Sequence, residues 1–333
     1  MKKYHIYGIG NALVDKEFEV SDSFLADAGI EKGMMTLIEE EEQLQQQLNQ
    51  LKSNFELVKR ASGGSAANTI IAASYFGGNT YYSCNVANDE TGDFYVKDLK
   101  AAGVDTNLGD DRDEGVTGKC LVMVTPDAER TMNTFLGITA NLNQQHLDAD
   151  AIANSEYLYI EGYLVTSDSA RAAAVEARKI AETNNVKTAI TFSDPAMVQF
   201  FKDGLREMVG DGVDLLFCNE QEALNWTDAG DINTAAEQLK DVAKSFVITL
   251  GAKGALIFDG NDYISIPANT VKAVDTNGAG DMFAGAFMYA LTHGHDHKTA
   301  GKLASLASSK VVANFGPRLP AENHQEILST VIG

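Results

Sequence analysis

The chain has 333 residues, 44% apolar and 22% charged, enough for one large domain with a complete core and ordinary for a globular protein. Asp and Glu number 47 against 26 Lys and Arg, a net charge of −21, which argues against nucleic acid or an anionic membrane surface as partner. No run approaches the ~18 apolar residues of a membrane span, the start Met1–Gly10 is too short and polar for a secretory leader, and Cys84, Cys120 and Cys218, without a CxxC pair, predict free thiols in a cytoplasmic setting.

In chain order, Tyr4–Ile9 reads as a buried strand. Lys16–Ile38 carries β-leaning residues broken by polar positions and glycine, and does not continue a βα rhythm. Glu39–Gln50 is Gln-rich, and its Leu44, Leu48 and Leu51 spacing predicts a surface helix with one apolar stripe. A helix over Ser65–Phe76 stops at Gly77-Gly78, and a strand follows at Thr80–Asn85. Arg112–Leu136 again departs from the rhythm. It then resumes: strand Tyr157–Ile160, helix Ser169–Thr183, strands Thr188–Phe192 and Leu215–Cys218, helix Thr234–Lys244, strands Phe246–Thr249 and Gly254–Phe258, helix Leu303–Asn314. Alternation of this kind predicts an α/β fold on a mostly parallel sheet. The two irregular stretches, about 16–38 and 112–136, are predicted to leave that sheet as a small β lid. No linker or repeat divides the chain, so 1–333 reads as a single domain.

Five segments carry chemistry. Val271–Leu291 runs from a strand-like start into the turn Thr276-Asn277-Gly278-Ala279-Gly280, then Asp281 and a small-residue helix. A glycine turn opening a helix is an anion site, because backbone N–H groups converge there and the helix dipole favours negative charge. Asp281 beside it can accept a proton from an attacking hydroxyl, or can serve only as a first-turn acid; Ala284, Gly285 and Ala286 fit tight helix packing. Ser62–Asn68 sets Gly63 and Gly64 before a helix with Asn68 one turn in, a hydroxyl-binding pattern or a plain glycine cap. Gly8–Asp15 begins G-x-G, but Leu13 stands where a dinucleotide fold needs its third glycine; there remain Asn11 and Asp15 at a strand's carboxyl end, where open α/β sheets bind ligands. Asn219–Glu222 follows a strand and suits Mg²⁺ held through water, or a solvated helix start. Thr249–Gly254 is a tight turn that either lines a nucleotide or is only a loop. There is no GxxxxGK[ST] and no HRD or DFG set, and His293, His295 and His297 read as an exposed loop.

Together, Gly63-Gly64 with Asn68 and Asp275-Thr276 with Gly278-Ala279-Gly280-Asp281 resemble the two signatures of the PfkB, or ribokinase-like, carbohydrate kinases, in the family's order and about 210 residues apart. The resemblance runs from Tyr4 to about Arg318. It implies a three-layer αβα sandwich with a β lid, and transfer of the γ-phosphate of ATP to a hydroxyl, with Asp281 as base and Gly278, Ala279 and Gly280 as anion hole. Asn219 and Glu222 match the NxxE motif linked to Mg²⁺. Thr249, Gly251 and Gly254 match the nucleotide turn, Asn314 lies near the adenine wrap, and Asp275 and Asn277 fall where some members hold K⁺. GNALVD, DTNGAGD and Tyr159–Thr166 look like the adenosine kinase branch. There Asp15, Gly64 and Asn68 would hold ribose, and Leu13 and Tyr163 would pack on a purine. Ala12 and Glu161 depart from that branch, and Glu161 pulls toward a free sugar such as ribose, fructose or 2-keto-3-deoxygluconate, or toward a different nucleoside. The implied partner is a small nucleoside or sugar, with the protein a monomer or homodimer. A catalytically silent sensor is the reading from another class, opposed by the complete reactive set.

Overall fold

The computed structural model describes residues 2–332. Among these described residues thirteen strands follow one another: β1 (Tyr4–Ile9), β2 (Leu13–Glu19), β3 (Met35–Leu37), β4 (Leu57–Gly63), β5 (Thr80–Ser83), β6 (Thr117–Val124), β7 (Arg130–Gly137), β8 (Ser155–Glu161), β9 (Lys187–Thr191), β10 (Val213–Asn219), β11 (Ala243–Thr249), β12 (Ala255–Phe258) and β13 (Tyr263–Ile266). The main sheet has the order β13-β12-β11-β10-β9-β8-β1-β5. It is parallel from β5 to β11 and antiparallel at β12 and β13. Its strands are apolar runs because both faces are covered. The helices Ser65–Phe76, Ala279–Thr292 and His297–Val312 pack on one face, and Asp168–Thr183, Pro195–Phe200, Lys202–Val209, Glu220–Thr227 and Ile232–Leu239 on the other.

On the first face, the helices Ser65–Phe76 and Ala279–Thr292 touch at backbone distance. A methyl group on Gly285 would lie 2.5 Å from the Thr69 carbonyl oxygen and 2.8 Å from Ala72 Cβ. The small residues after Asp281 therefore serve tight packing, and that packing brings the starts of the two helices together.

The second sheet has the order β3-β7-β6-β2-β4. Its outer face is closed by the helix Glu41–Asn54, whose Leu44, Leu48 and Leu51 are buried with Phe18, Leu121 and Met123. Register fixes what its inner face carries, since alternate residues share a face. One row runs Leu37, Thr134, Cys120, Asp15, Ala61; the next runs Met35, Met132, Val122, Glu17, Lys59.

The predicted boundaries need correction. The stretch 16–38 contains a short helix, Asp22–Asp27, between β2 and β3, and 112–136 resolves into the hairpin β6–β7. Strand β4 joins this sheet from a segment whose sequence, LVKRASG, shows no clear alternation, because an edge strand needs only one partner. The helix predicted over Thr234–Lys244 is Ile232–Leu239; Ala243 and Lys244 open β11, where pairing with β10 outweighs local helical preference. Strand β13 was not legible in the sequence. Among the described residues no helix is long and apolar enough to cross a membrane.

The outer seal of the second sheet predicts a stability effect. Leu48→Ala should cost about 2–5 kcal/mol, read as earlier thermal unfolding and faster proteolysis in residues 20–56. Unchanged proteolysis there would show that the helix does not hold the sheet.

Candidate active site

Between the two sheets, at the carboxyl ends of β1, β8, β9, β10 and β11, lies a cavity of about 240 Å³. Its floor is the turn Thr276–Gly280. Gly278 caps the helix Ala279–Thr292 in the left-handed region at φ 72°, so a side chain there is strained, and a methyl group would also lie 2.3 Å from the Pro317 carbonyl oxygen. A methyl on Gly280, in contrast, would meet nothing within 4 Å. Amides of a helix's first turn have no partner within the helix, and this one opens on free space large enough for an anion.

Asp281 stands one residue further along. Ser65 Oγ donates to its Oδ1 at 2.7 Å and Asn68 Nδ2 to its Oδ2 at 3.0 Å. Burial raises its pKa, opposed by these two hydrogen bonds and by the charge of Arg130. Asn68 thereby turns its Oδ1, which is buried without a partner, toward a donor still to come.

Asp15 faces the cavity from β2 with no hydrogen bond to its carboxylate among the described residues, and burial pushes it up to about 7. Gly63 leaves room for it, and Gly64 leaves room for the Asn11 carbonyl. A methyl on Gly63 would lie 2.3 Å from the Asp15 carboxylate, and one on Gly64, at φ 103°, would lie 2.2 Å from the Asn11 carbonyl oxygen. Gly63 itself is behind Asp15 and does not line the cavity.

Glu161 ends β8 and is 1% exposed. Its Oε1 accepts from the Asn11 N–H and side-chain amide at 3.2 and 3.1 Å, and its Oε2 from the Ala66 N–H at 2.8 Å. Despite its place at the cavity wall, it ties the β1–β2 turn to the start of helix Ser65–Phe76. Burial pushes it up to about 7. Tyr163 and Leu13 also line the wall, the Tyr163 hydroxyl donating to Asp194 at 3.3 Å.

Asn219 and Glu222 form a reciprocal cap. Asn219 Oδ1 accepts the Glu222 N–H, while Glu222 accepts the Asn219 N–H at 3.0 Å and its amide at 2.7 Å. Both line the cavity with Thr249. Burial pushes Glu222 up to about 8.

Besides Gly63, four predicted residues lie outside the lining. Gly251 and Gly254 are in the turn beyond Thr249; a methyl on Gly254 would lie 2.0 Å from the Ile266 carbonyl oxygen, so packing requires glycine there. Asn314 is exposed, its side chain donating to the Lys310 carbonyl at the end of its helix. Asp275 is fully buried, accepting the N–H groups of Asn277 and Gly316 at 2.8 Å each. Each of its oxygens takes one of these N–H groups, and it lies outside the cavity lining. Asn277 lines the cavity.

Sequence reasoning missed the inner face of β7. Arg130, Met132, Thr134 and Leu136 all line the cavity, at the period of two that a strand gives, and that alternation was the available signal. Arg130 Nη1 reaches Asn277 Oδ1 at 3.4 Å and is the one cation in a lining that holds Asp15, Glu161, Glu222 and Asp281. An excess of carboxylates suits a divalent cation accompanying a phosphate ligand, and Glu222 with Asn219 are residues there that could hold one through water.

A family model described as pfkB family carbohydrate kinase matches residues 30–324. Adenosine kinase from Saccharomyces cerevisiae is 27% identical over 94% of this chain and 96% of its own. The crystal structure of adenosine kinase from Sinorhizobium meliloti is 34% identical, with a TM-score of 0.90 over 97% of this chain and 99% of that one. A probable sugar kinase from Rhizobium etli is 32% identical, with a TM-score of 0.92 over the whole of both chains.

The raised carboxylates give a pH prediction. Asp15 and Glu161 titrate at about 7 and Glu17 and Glu222 at about 8, above the unfolded values near 4, so the folded state holds more protons. Stability is then full below pH ~4 as far as these groups are concerned, and is lost as pH rises through about 7 to 8. Thermal melts should show Asp15→Asn stabilising the protein at pH 9 and much less at pH 5. An equal effect at both would contradict the burial of a proton at Asp15.

Proposed function

The chain belongs to the pfkB family of carbohydrate kinases, phosphotransferases with an alcohol acceptor, and from that premise we propose that it moves the γ-phosphoryl group of ATP onto a hydroxyl of adenosine. The observation that carries the reading is the position of Asp281, bonded to Ser65 and Asn68 on one side and one residue from the open turn at Gly280 on the other. A base and an anion site so close together can serve in-line transfer.

In this reading Asp281 takes the proton of the attacking hydroxyl, and its raised pKa brings its basicity nearer to neutral pH. The first-turn amides after Gly278 and the guanidinium of Arg130 offset charge on the transferred group. Asp15, free of partners, accepts from ribose hydroxyls, and the unpartnered Asn68 Oδ1 accepts another. Leu13, Leu37, Leu136 and Tyr163 enclose the base. Bound Mg²⁺, held through water by Glu222 and Asn219, would neutralise phosphate charge. We assign ATP to the side of Asn219 and Thr249, its adenine toward Gly251, Gly254 and Asn314, and route no step through a monovalent cation. Free thiols at the buried Cys84, Cys120 and Cys218 support a cytoplasmic setting.

A free sugar is the second reading, drawn by Glu161 and by the Rhizobium etli neighbour. The occupied oxygens of Glu161 weigh against it, as do apolar side chains around the acceptor that a free sugar would leave uncovered.

ADP release with Mg-ATP should be measured on adenosine, inosine, guanosine, ribose, fructose and 2-keto-3-deoxygluconate. Turnover on adenosine is expected. Turnover confined to a sugar would overturn the acceptor, and silence across the panel from folded protein would count against the kinase reading itself.

A further inference from the structure

Glu17 has no part in the site described so far. It lies two residues beyond Asp15 on the same face of β2, yet outside the cavity lining. It is fully buried, and neither carboxylate oxygen has a hydrogen-bond partner, a costly arrangement to maintain without a purpose. Its neighbour across the strand pair is Lys59 of β4.

Gly316 sits against both side chains. A methyl group there would lie 2.5 Å from Lys59 Nζ and 3.0 Å from Glu17 Oε2, and its φ of 94° independently favours glycine. Lys59 Nζ donates to the Arg318 carbonyl at 3.4 Å. Arg318 pairs with Asp98 at 2.8 Å, and Asp98 accepts the N–H of Ser62 on β4 at 3.2 Å. The loop Asn314–Arg318 is thus stitched to the second sheet.

The other side of this loop bears on the anion turn. The Gly316 N–H is one of the two that hold Asp275, and Pro317 packs on Gly278 closely enough to exclude a side chain. From the far side, Arg130 reaches Asn277 and the Thr276 hydroxyl donates to the Ala128 carbonyl at 3.3 Å. The turn is framed by the second sheet at two places, directly through β7 and indirectly through Gly316 and Pro317.

We infer that Glu17 and Lys59 are positioning residues for phosphoryl transfer: by gripping Gly316 they set the shape of the turn Asp275–Asp281 according to where the second sheet stands. This deepens the kinase reading and rests on it. Neither residue touches the cavity, so their removal should alter the phosphoryl side and spare acceptor binding.

Lys59→Met removes the ammonium and keeps the stem against Gly316. Hydrogen exchange on the protein without ligands needs no turnover: amides of residues 276–281 should exchange faster in the variant, with the main-sheet strands unchanged. In steady state kcat should fall about tenfold to a hundredfold, the scale expected of slight misplacement, while the equilibrium Kd for adenosine stays within about twofold. Glu17→Gln, which keeps the shape, serves as the second variant if Lys59→Met fails to fold, with the same exchange difference expected. Unchanged exchange at 276–281, or unchanged kcat beside a lower melting temperature, would reduce the pair to a structural contact and overturn the inference. A wild type inactive on adenosine would instead count against the acceptor assignment, and the exchange comparison would still decide the role of the pair.

Discussion

The approach of two helices at Gly285 is the constraint on which the site depends. With no side chain at that position, helix Ala279–Thr292 comes within van der Waals distance of Thr69 and Ala72, and the two helix starts meet. Asp281 can then accept from Ser65 and Asn68, which fixes its carboxylate and leaves Asn68 Oδ1 free. A Cβ at 285 would push the helices apart and separate Asp281 from both donors. The same helix presents its first-turn amides beside that carboxylate, so one close contact between backbones brings Asp281, the glycine turn and Asn68 Oδ1 together.

Charge balance sets the second condition. Asp15, Glu161, Glu222 and Asp281 share the cavity lining with a single cation, Arg130, and burial raises the pKa of every one of these acids. Three of them are hydrogen-bonded: Glu161 by three N–H donors, Glu222 by its exchange with Asn219, and Asp281 by Ser65 and Asn68. Asp15 is the one without a partner. Partners make the difference: Asp15 keeps its full accepting capacity, whereas Glu161 is already held by the frame around it. It also explains why Glu161, which the sequence offered as a sugar ligand, reads differently once its neighbours are known.

Much of this was legible in the amino-acid order. The glycine turn before Asp281, the Gly63-Gly64 step before Asn68, and the strand–helix alternation are local patterns, and local patterns survive in one dimension. What was not legible depends on pairing. Strand β4 has little strand character of its own and exists because β2 offers an edge. Arg130 enters the cavity only through the register of β7. Asp275 is tied to the Gly316 N–H from 41 residues away, a contact no local pattern announces. Asn314 and Gly254 carry motif positions whose side of the turn cannot be read from spacing.

The central claim is that Asp281 acts as the base while other groups hold the acceptor. It is tested most directly with Asp281→Asn, by measuring adenosine affinity calorimetrically and phosphoryl transfer in a single turnover on the same preparation. The account predicts nearly unchanged affinity with a transfer rate lower by about 10²–10⁴. A transfer rate close to that of the wild type would contradict it.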